Sequence, residues 1–118
     1  MTNSNVPLND LLDMLKKGEI AEAQEKYFAH DVKTQEGNGP VVRGKDNAKA
    51  ALAAFQAANN VTGFIAYEVG HAAINGNHSF YDVAVVLQVN GKDTTRIEQV
   101  VSTTWQGGKI IEERYYHG

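Results

Sequence analysis

Hydrophobic residues in the first half of the chain recur at helical spacing. Leu8, Leu11, Leu12 and Leu15 repeat at intervals of three and four, which predicts an amphipathic helix that Gly18 ends. Ser4 or Asn5 is expected to cap this helix. Two further apolar stripes predict a second helix, which ends at His30-Asp31, and an alanine-rich third helix capped by Asp46; a short strand, 32–36, lies between them. The stripes consist of Ile20, Ala23, Tyr27 and Phe28, and of Ala48, Ala51, Leu52 and Phe55.

The second half of the chain has a period of two, which is typical of strands. The pairs Asn75-Gly76, Asn90-Gly91 and Gly107-Gly108 suit tight hairpin turns, because asparagine and glycine accept a positive φ. They separate four predicted strands, 62–74, 78–89, 92–106 and 109–117. Three N-terminal helices followed by an antiparallel meander predict an α+β fold with the helices packed on one face of the sheet.

Ideal two-residue hairpins assign the strand residues to two faces of this sheet. The face placed against the helices carries an apolar run on the second of the four strands, together with several polar residues. Its members include Tyr81, Val83, Val85, Glu98, Glu113, Tyr115 and His117. The opposite face is also rich in apolar residues, among them Phe80, Ile97, Val101, Trp105 and Tyr116. Since an apolar sheet face exposed to water is typical of a protein–protein interface, we expect a homodimer through the sheet.

Composition excludes several classes of function. The 118 residues suffice for one domain, 1–118, and 11 Lys and Arg against 14 Asp and Glu leave no basic excess for binding nucleic acid. No apolar run approaches a membrane span and no signal peptide is visible, so a cytoplasmic protein without membrane contact is expected. The chain has no cysteine, and its histidines do not have metal-ligand spacing. We therefore predict neither a metal site nor a cofactor.

Three segments resemble a known group of proteins. They are Tyr27–Val32, Val42–Asp46 and Trp105–Arg114, and their order resembles the SnoaL-like polyketide cyclase group of the nuclear transport factor 2-like superfamily. The resemblance implies a cone, in which a curved sheet wraps around the long third helix with a pocket at the wide end, and often a dimer. Members include steroid isomerases, epoxide hydrolases, polyketide cyclases, dehydratases and proteins with no known catalysis.

The resemblance also places individual residues. Glu36 stands where the steroid isomerases carry their general base, although the usual Asp-Pro is here Glu36-Gly37, and Leu11 stands where they carry a tyrosine that stabilises an oxyanion. The cyclases and epoxide hydrolases have an acid on the last strand at the position of Tyr115, and Glu113 lies two residues earlier on the same face. Glu36 and Glu113 are therefore the candidate carboxylates.

The candidate site follows from these placements. Glu36 is the candidate base, Glu113 an acid or second base, and Tyr115 a donor to a developing oxyanion. The alternative is structural: Glu36 is solvated at a loop edge and Glu113 pairs with a lysine or arginine. The predicted pocket residues are Thr34, Phe55, Tyr81, Val83, Val85, Glu98 and His117.

These residues predict a pocket for a small apolar molecule. The chemistry expected is cofactor-free acid–base isomerisation, cyclisation or dehydration of a small carbonyl or ring compound. A binding module without catalysis and a dimerisation or association domain are the alternatives, because the fold alone does not separate the three.

Overall fold

Three helices precede most of the sheet, as the hydrophobic pattern predicts. The computed structural model describes residues 6–117, so the predicted caps Ser4 and Asn5 lie outside the described residues. The helices are α1 (Leu8–Lys16), α2 (Ile20–Tyr27) and α3 (Lys45–Ala58). The strands are β1 (Phe28–Glu36), β2 (Val41–Arg43), β3 (Val61–Asn75), β4 (His78–Val89), β5 (Asp93–Gln106) and β6 (Lys109–His117).

The six strands form one mixed sheet in the order β2-β1-β6-β5-β4-β3. The four meander strands β3–β6 are antiparallel, as predicted, and β1, whose partner was not predicted, pairs with β6 in parallel. β1 is also longer than predicted: Phe28, placed in the second helix by its spacing, begins the strand. Register shifts interrupt the β1–β6, β3–β4 and β5–β6 pairings, and such bulges bend and twist strands. The result is a curved, open α+β sheet with the helices against one face.

α3 begins two residues earlier than the sequence predicts. Asp46 lies within the first turn, and Gly44 is the residue that precedes the helix. Gly44 has a φ of 95°, a conformation that a side chain would disfavour. Its N–H donates to the carbonyl of Val32 at 2.7 Å, which ties the helix entry to β1.

The β4–β5 hairpin contains one residue more than predicted. Val89 pairs with Asp93 rather than with Lys92, although Asn90 and Gly91 both have positive φ. The N–H of Asn90 donates to the carbonyl of Asn60 at 2.9 Å, so the loop is held against the start of β3. The extra residue moves every β5 side chain to the opposite face from the one predicted.

A bulge in β6 restores the predicted faces from Glu112 onward, whereas Ile110, before the bulge, lies on the inner face instead of the outer one. Trp105 pairs with Ile110, but Thr104 pairs with Glu112, so Ile111 is the additional residue. Glu113, Tyr115 and His117 consequently share a face with the inward side of β4, as predicted, although the intermediate pairings in the prediction were wrong.

The core lies between the helices and the inner face of the sheet. The four leucines of α1 are buried together with Tyr27, Phe28 and Val32. Trp105, which the predicted pairing assigned to a dimer seam, is 1% exposed in this core. Its Nε1 donates to Ser79 Oγ at 2.9 Å, and its ring packs edge-on against Tyr27 with centroids 5.7 Å apart.

The outer face of the sheet is less apolar than predicted. Ile97, Val101 and Trp105 point inward, whereas Phe80, Val100 and Tyr116 are more than 40% exposed. The homodimer through this face stays a prediction. In the described part of the chain, no helix is long and apolar enough to cross a membrane.

Candidate functional site

A cavity of about 490 Å³ opens between the helices and the inner face of the sheet. The predicted stripe of α3 forms one wall, and α1 and α2 contribute Leu11, Leu15 and Ile20. Phe55 lines the cavity and is 41% exposed. The sheet supplies the opposite wall through Tyr67, Tyr81, Val85, Leu87, Ile97, Gln99, Ile110, Glu113 and Tyr115. Most of this wall is apolar, so the polar side chains within it fix where a polar ligand group can bind.

Glu113 is the buried carboxyl group of the cavity wall. Glu113 is only 6% exposed, and both of its carboxylate oxygens accept hydrogen bonds. Tyr115 donates to Oε1 at 2.5 Å, and Thr103, which is fully buried, donates to Oε2 at 3.1 Å. Burial raises the pKa of Glu113, and the two hydroxyl donors oppose that rise. A carboxyl group in this environment suits proton transfer nearer to neutral pH than an exposed glutamate does.

Three tyrosines surround this carboxyl group. Tyr67, Tyr81 and Tyr115 all line the cavity, and Tyr81 is only 3% exposed. Burial is the largest cause that raises the pKa of Tyr67, Tyr81 and Tyr115, and the nearby Glu113 charge raises each further. All three therefore stay protonated across the physiological range. The hydroxyl groups of Tyr67 and Tyr81 each carry one O–H that can donate to a ligand in the cavity.

Glu36 lies at the mouth of the cavity rather than in its interior. Its side chain is 67% exposed, and its Oε1 lies 2.6 Å from Nε2 of His117. The parallel pairing of β1 with β6 places Glu36 beside Tyr115 and Thr34 beside Glu113. The two candidate carboxylates thus stand at different depths on neighbouring strands, and only Glu113 is shielded from water.

The structure places most of the predicted pocket residues around one space, but not all of them. Thr34, Phe55, Tyr81, Val85 and His117 line the cavity together with Glu36, Glu113 and Tyr115. Val83 is a core residue, 4% exposed, that does not line the cavity. Glu98 is corrected to the outer face, where its Oε2 lies 3.1 Å from Nε of Arg96. The extra residue in the β4–β5 loop is the reason for this reversal.

Sequence reasoning missed Tyr67 and Thr103. Tyr67 faces Val85 across the β3–β4 pair, so a correct register of these strands would have revealed it. Thr103 pairs with Glu113 across β5 and β6, a contact that depends on the bulge at Ile111. The alternation of apolar and polar residues along a single strand does not predict either of these cross-strand pairs.

The charges around the cavity are acidic. Its lining contains Glu36, Glu113 and His117, and none of the described lysines or arginines belongs to it. Within residues 6–117, no group of three or more His, Asp or Glu side chains is placed to hold a metal ion. The polar groups of the lining are one buried carboxyl group, the tyrosine hydroxyls, the exposed Glu36 and His117, Thr34, and the amides of Gln24, Gln35, Gln56 and Gln99.

Similarity to solved structures is strong in fold and modest in sequence. A Mesorhizobium loti protein named as a SnoaL-like polyketide cyclase and carbohydrate phosphatase is 27% identical, with a TM-score of 0.80 over 99% of this chain and 100% of that one. A nuclear transport factor 2-like protein of unknown function from Burkholderia pseudomallei has a TM-score of 0.74 at 9% identity, over 100% of this chain and 92% of that one.

An enzyme is also among the similar structures. The LEH-like epoxide hydrolase of Mycobacterium tuberculosis has a TM-score of 0.73 at 15% identity, covering 94% of this chain and 79% of that chain. No protein-family model matches the chain, and no curated protein matches it at a significant level. The three helices on a curved, open sheet are thus those of the SnoaL-like and nuclear transport factor 2-like proteins.

Proposed function

We propose that this chain, which has the fold of the nuclear transport factor 2-like proteins, binds a small and largely apolar molecule and transfers a proton to or from it through Glu113, without a cofactor. The observation that carries the proposal is a buried carboxyl group, hydrogen bonded by two hydroxyls, in the wall of a mainly apolar cavity of about 490 Å³. Cavities of this size suit small organic ligands.

Glu113 fits the role of base better than Glu36. A base shielded from water keeps a raised pKa and meets its substrate in a desolvated site, and Glu113 has both properties. Glu36, exposed and paired with His117, stands where a ligand would enter. In this account Glu113 accepts a proton from a carbon next to a carbonyl group. The hydroxyl group of Tyr67 or Tyr81 donates to the oxygen on which negative charge develops.

The similar structures support the ligand class but not one reaction. Polyketide cyclases and epoxide hydrolases are named among them, and both act on small organic molecules. A phosphate ester, as the carbohydrate phosphatase name of the Mesorhizobium loti protein would imply, fits this cavity poorly because no described lysine or arginine lines it. A lining without lysine or arginine agrees better with isomerisation, cyclisation or dehydration of a neutral carbonyl compound. Capture of such a ligand without chemistry is the alternative.

Filling the cavity tests whether it is the ligand site. Ala51 lies on the cavity side of α3, so Ala51→Trp is expected to fill the space and to remove binding of 2-tetralone, a neutral two-ring ketone. Isothermal titration calorimetry of the wild type and the variant measures the change. We expect affinity to fall at least tenfold, about 1.4 kcal/mol.

Ala53→Trp is the matched control for this experiment. Ala53 is exposed on the same helix but does not line the cavity, so the new ring remains in solvent. Its affinity for 2-tetralone should equal that of the wild type. Equal affinity in all three proteins would place the ligand elsewhere and contradict the proposal, and no binding to the wild type would favour an association domain.

A further inference from the structure

The hydrogen bonds of Glu113 leave its charge uncompensated. Both donors, Thr103 and Tyr115, are neutral hydroxyl groups, and no ion pair within the described residues includes Glu113. A carboxylate has about four acceptor positions, so two hydroxyl donors do not saturate it. Since a buried charge is costly unless it is paired, the ionised form of Glu113 is disfavoured by its own surroundings.

A cation in the cavity would remove that disadvantage. Its charge would pair with the carboxylate in a site of low dielectric, where such an attraction is strong. The tyrosine and phenylalanine rings of the cavity wall add to this preference, because the faces of aromatic rings attract cations at distances up to about 6 Å. The aromatic residues of the wall are Phe28, Phe55, Tyr67, Tyr81 and Tyr115.

The mouth of the cavity also favours a positively charged ligand. Glu36 stands there, and the whole chain carries a formal charge of −3. With no described lysine or arginine in the lining, an anionic ligand would meet two carboxylates, and the lining's one histidine, His117, is already paired with Glu36 at 2.6 Å. These features disfavour carboxylate, phosphate and sulfate groups, and they leave neutral and cationic ligands.

We propose that the natural ligand is an apolar molecule that carries a protonated amine, and that its ammonium group pairs with Glu113 inside the cavity. The inference rests on the proposed function only in taking the cavity as the ligand site. It goes further by naming the ligand's polar group. Because an ammonium group occupies the Glu113 carboxylate, such a ligand is captured without chemistry, and the proton transfer proposed above applies to neutral carbonyl compounds. An ammonium group can donate to the acceptor positions of Glu113 that Thr103 and Tyr115 leave open.

Ligands with one carbon skeleton and different charges test this preference. Calorimetric titration at pH 7.5 would compare 2-aminotetralin, 2-tetralol and tetralin-2-carboxylate. We expect the amine to bind at least about tenfold more tightly than the alcohol, and the carboxylate to bind most weakly. In Glu113→Gln the amine and the alcohol should bind with similar affinity. Glu112→Gln, an exposed neighbour on the same strand, should keep the wild-type preference.

The pH dependence of the wild type gives a second measurement without any substitution. As pH falls through the pKa of Glu113, the carboxylate is neutralised, so amine affinity should fall while alcohol affinity stays constant. Burial raises that pKa, so the loss begins at a higher pH than for an exposed glutamate. The tyrosines facing Glu113 remain neutral in this range, and Glu36 with His117 lies at the mouth.

The two proposals fail in distinguishable ways. An amine that binds no more tightly than the alcohol, or a preference that persists in Glu113→Gln, would overturn the inference about the amine. Binding of 2-tetralone and 2-tetralol would still support the proposed function in that case. Failure of every tetralin compound to bind would overturn both.

Discussion

Glu113→Gln is expected to slow proton exchange at the α-carbon of bound 2-tetralone by about 10²- to 10⁴-fold, the usual contribution of a general base. Glutamine has nearly the same shape as glutamate, and its oxygen can still accept a hydrogen bond from Tyr115 or Thr103. It cannot accept a proton at any physiological pH. Deuterium incorporation in D₂O, followed by NMR, measures the exchange at a saturating ligand concentration.

Controls separate this effect from misfolding and from the background reaction. Glu112→Gln changes the same kind of residue one position earlier, on the exposed side of the strand, and should exchange at the wild-type rate. Retained binding of 2-tetralone by Glu113→Gln would show that the cavity is intact. If exchange in Glu113→Gln stayed within about threefold of the wild type, Glu113 would not be the base. Wild-type binding with no acceleration over buffer would indicate capture without catalysis.

Trp105→Ala is expected to lower the free energy of unfolding by about 3–5 kcal/mol. The indole is almost completely buried at the centre of the core, so its removal leaves a cavity that the surrounding strands fill only partly. The substitution also leaves the Ser79 hydroxyl without its indole partner and removes the edge-on contact with Tyr27. Urea unfolding followed by circular dichroism gives the difference directly.

Phe55→Ala is the aromatic control for this prediction. Phe55 is 41% exposed at the edge of the cavity, so its truncation should cost less than about 1 kcal/mol. A destabilisation by Trp105→Ala no larger than that of Phe55→Ala would mean that Trp105 does not lie in the core. It would favour the dimer seam to which ideal hairpin pairing assigns this residue.

The number and order of helices and the four meander strands could be predicted from the sequence because each depends on local periodicity. The leucine repeat of α1 and the hairpin signals at Asn75-Gly76 and Gly107-Gly108 are such local patterns. The parallel partnership of β1 and β6 joins distant segments, and no local pattern reports it. Local pattern also fails at Phe28. Its spacing suits α2, but its pairing with Ile110 places it in β1.

Prediction of the candidate site depended on the register of the strands, because one additional residue in a loop or bulge reverses which side chains face the cavity. Glu113 and Tyr115 were placed on the inner face correctly because the bulge at Ile111 compensates for the longer β4–β5 loop. Glu98 lies between these two irregularities and was therefore placed on the wrong face. The longer loop contains a hydrogen bond from the N–H of Asn90 to the carbonyl of Asn60, a tertiary contact that alternation along a strand does not predict.

A crystal structure of the protein with 2-tetralone would test the central claim most directly. The account predicts the ligand inside the cavity, with its rings against Leu52 and Phe55 and its α-carbon facing the Glu113 carboxyl group. Its carbonyl oxygen should lie about 2.6–3.2 Å from the hydroxyl group of Tyr67 or Tyr81. A ligand bound outside the cavity, or one whose polar end points away from Glu113, would contradict the account.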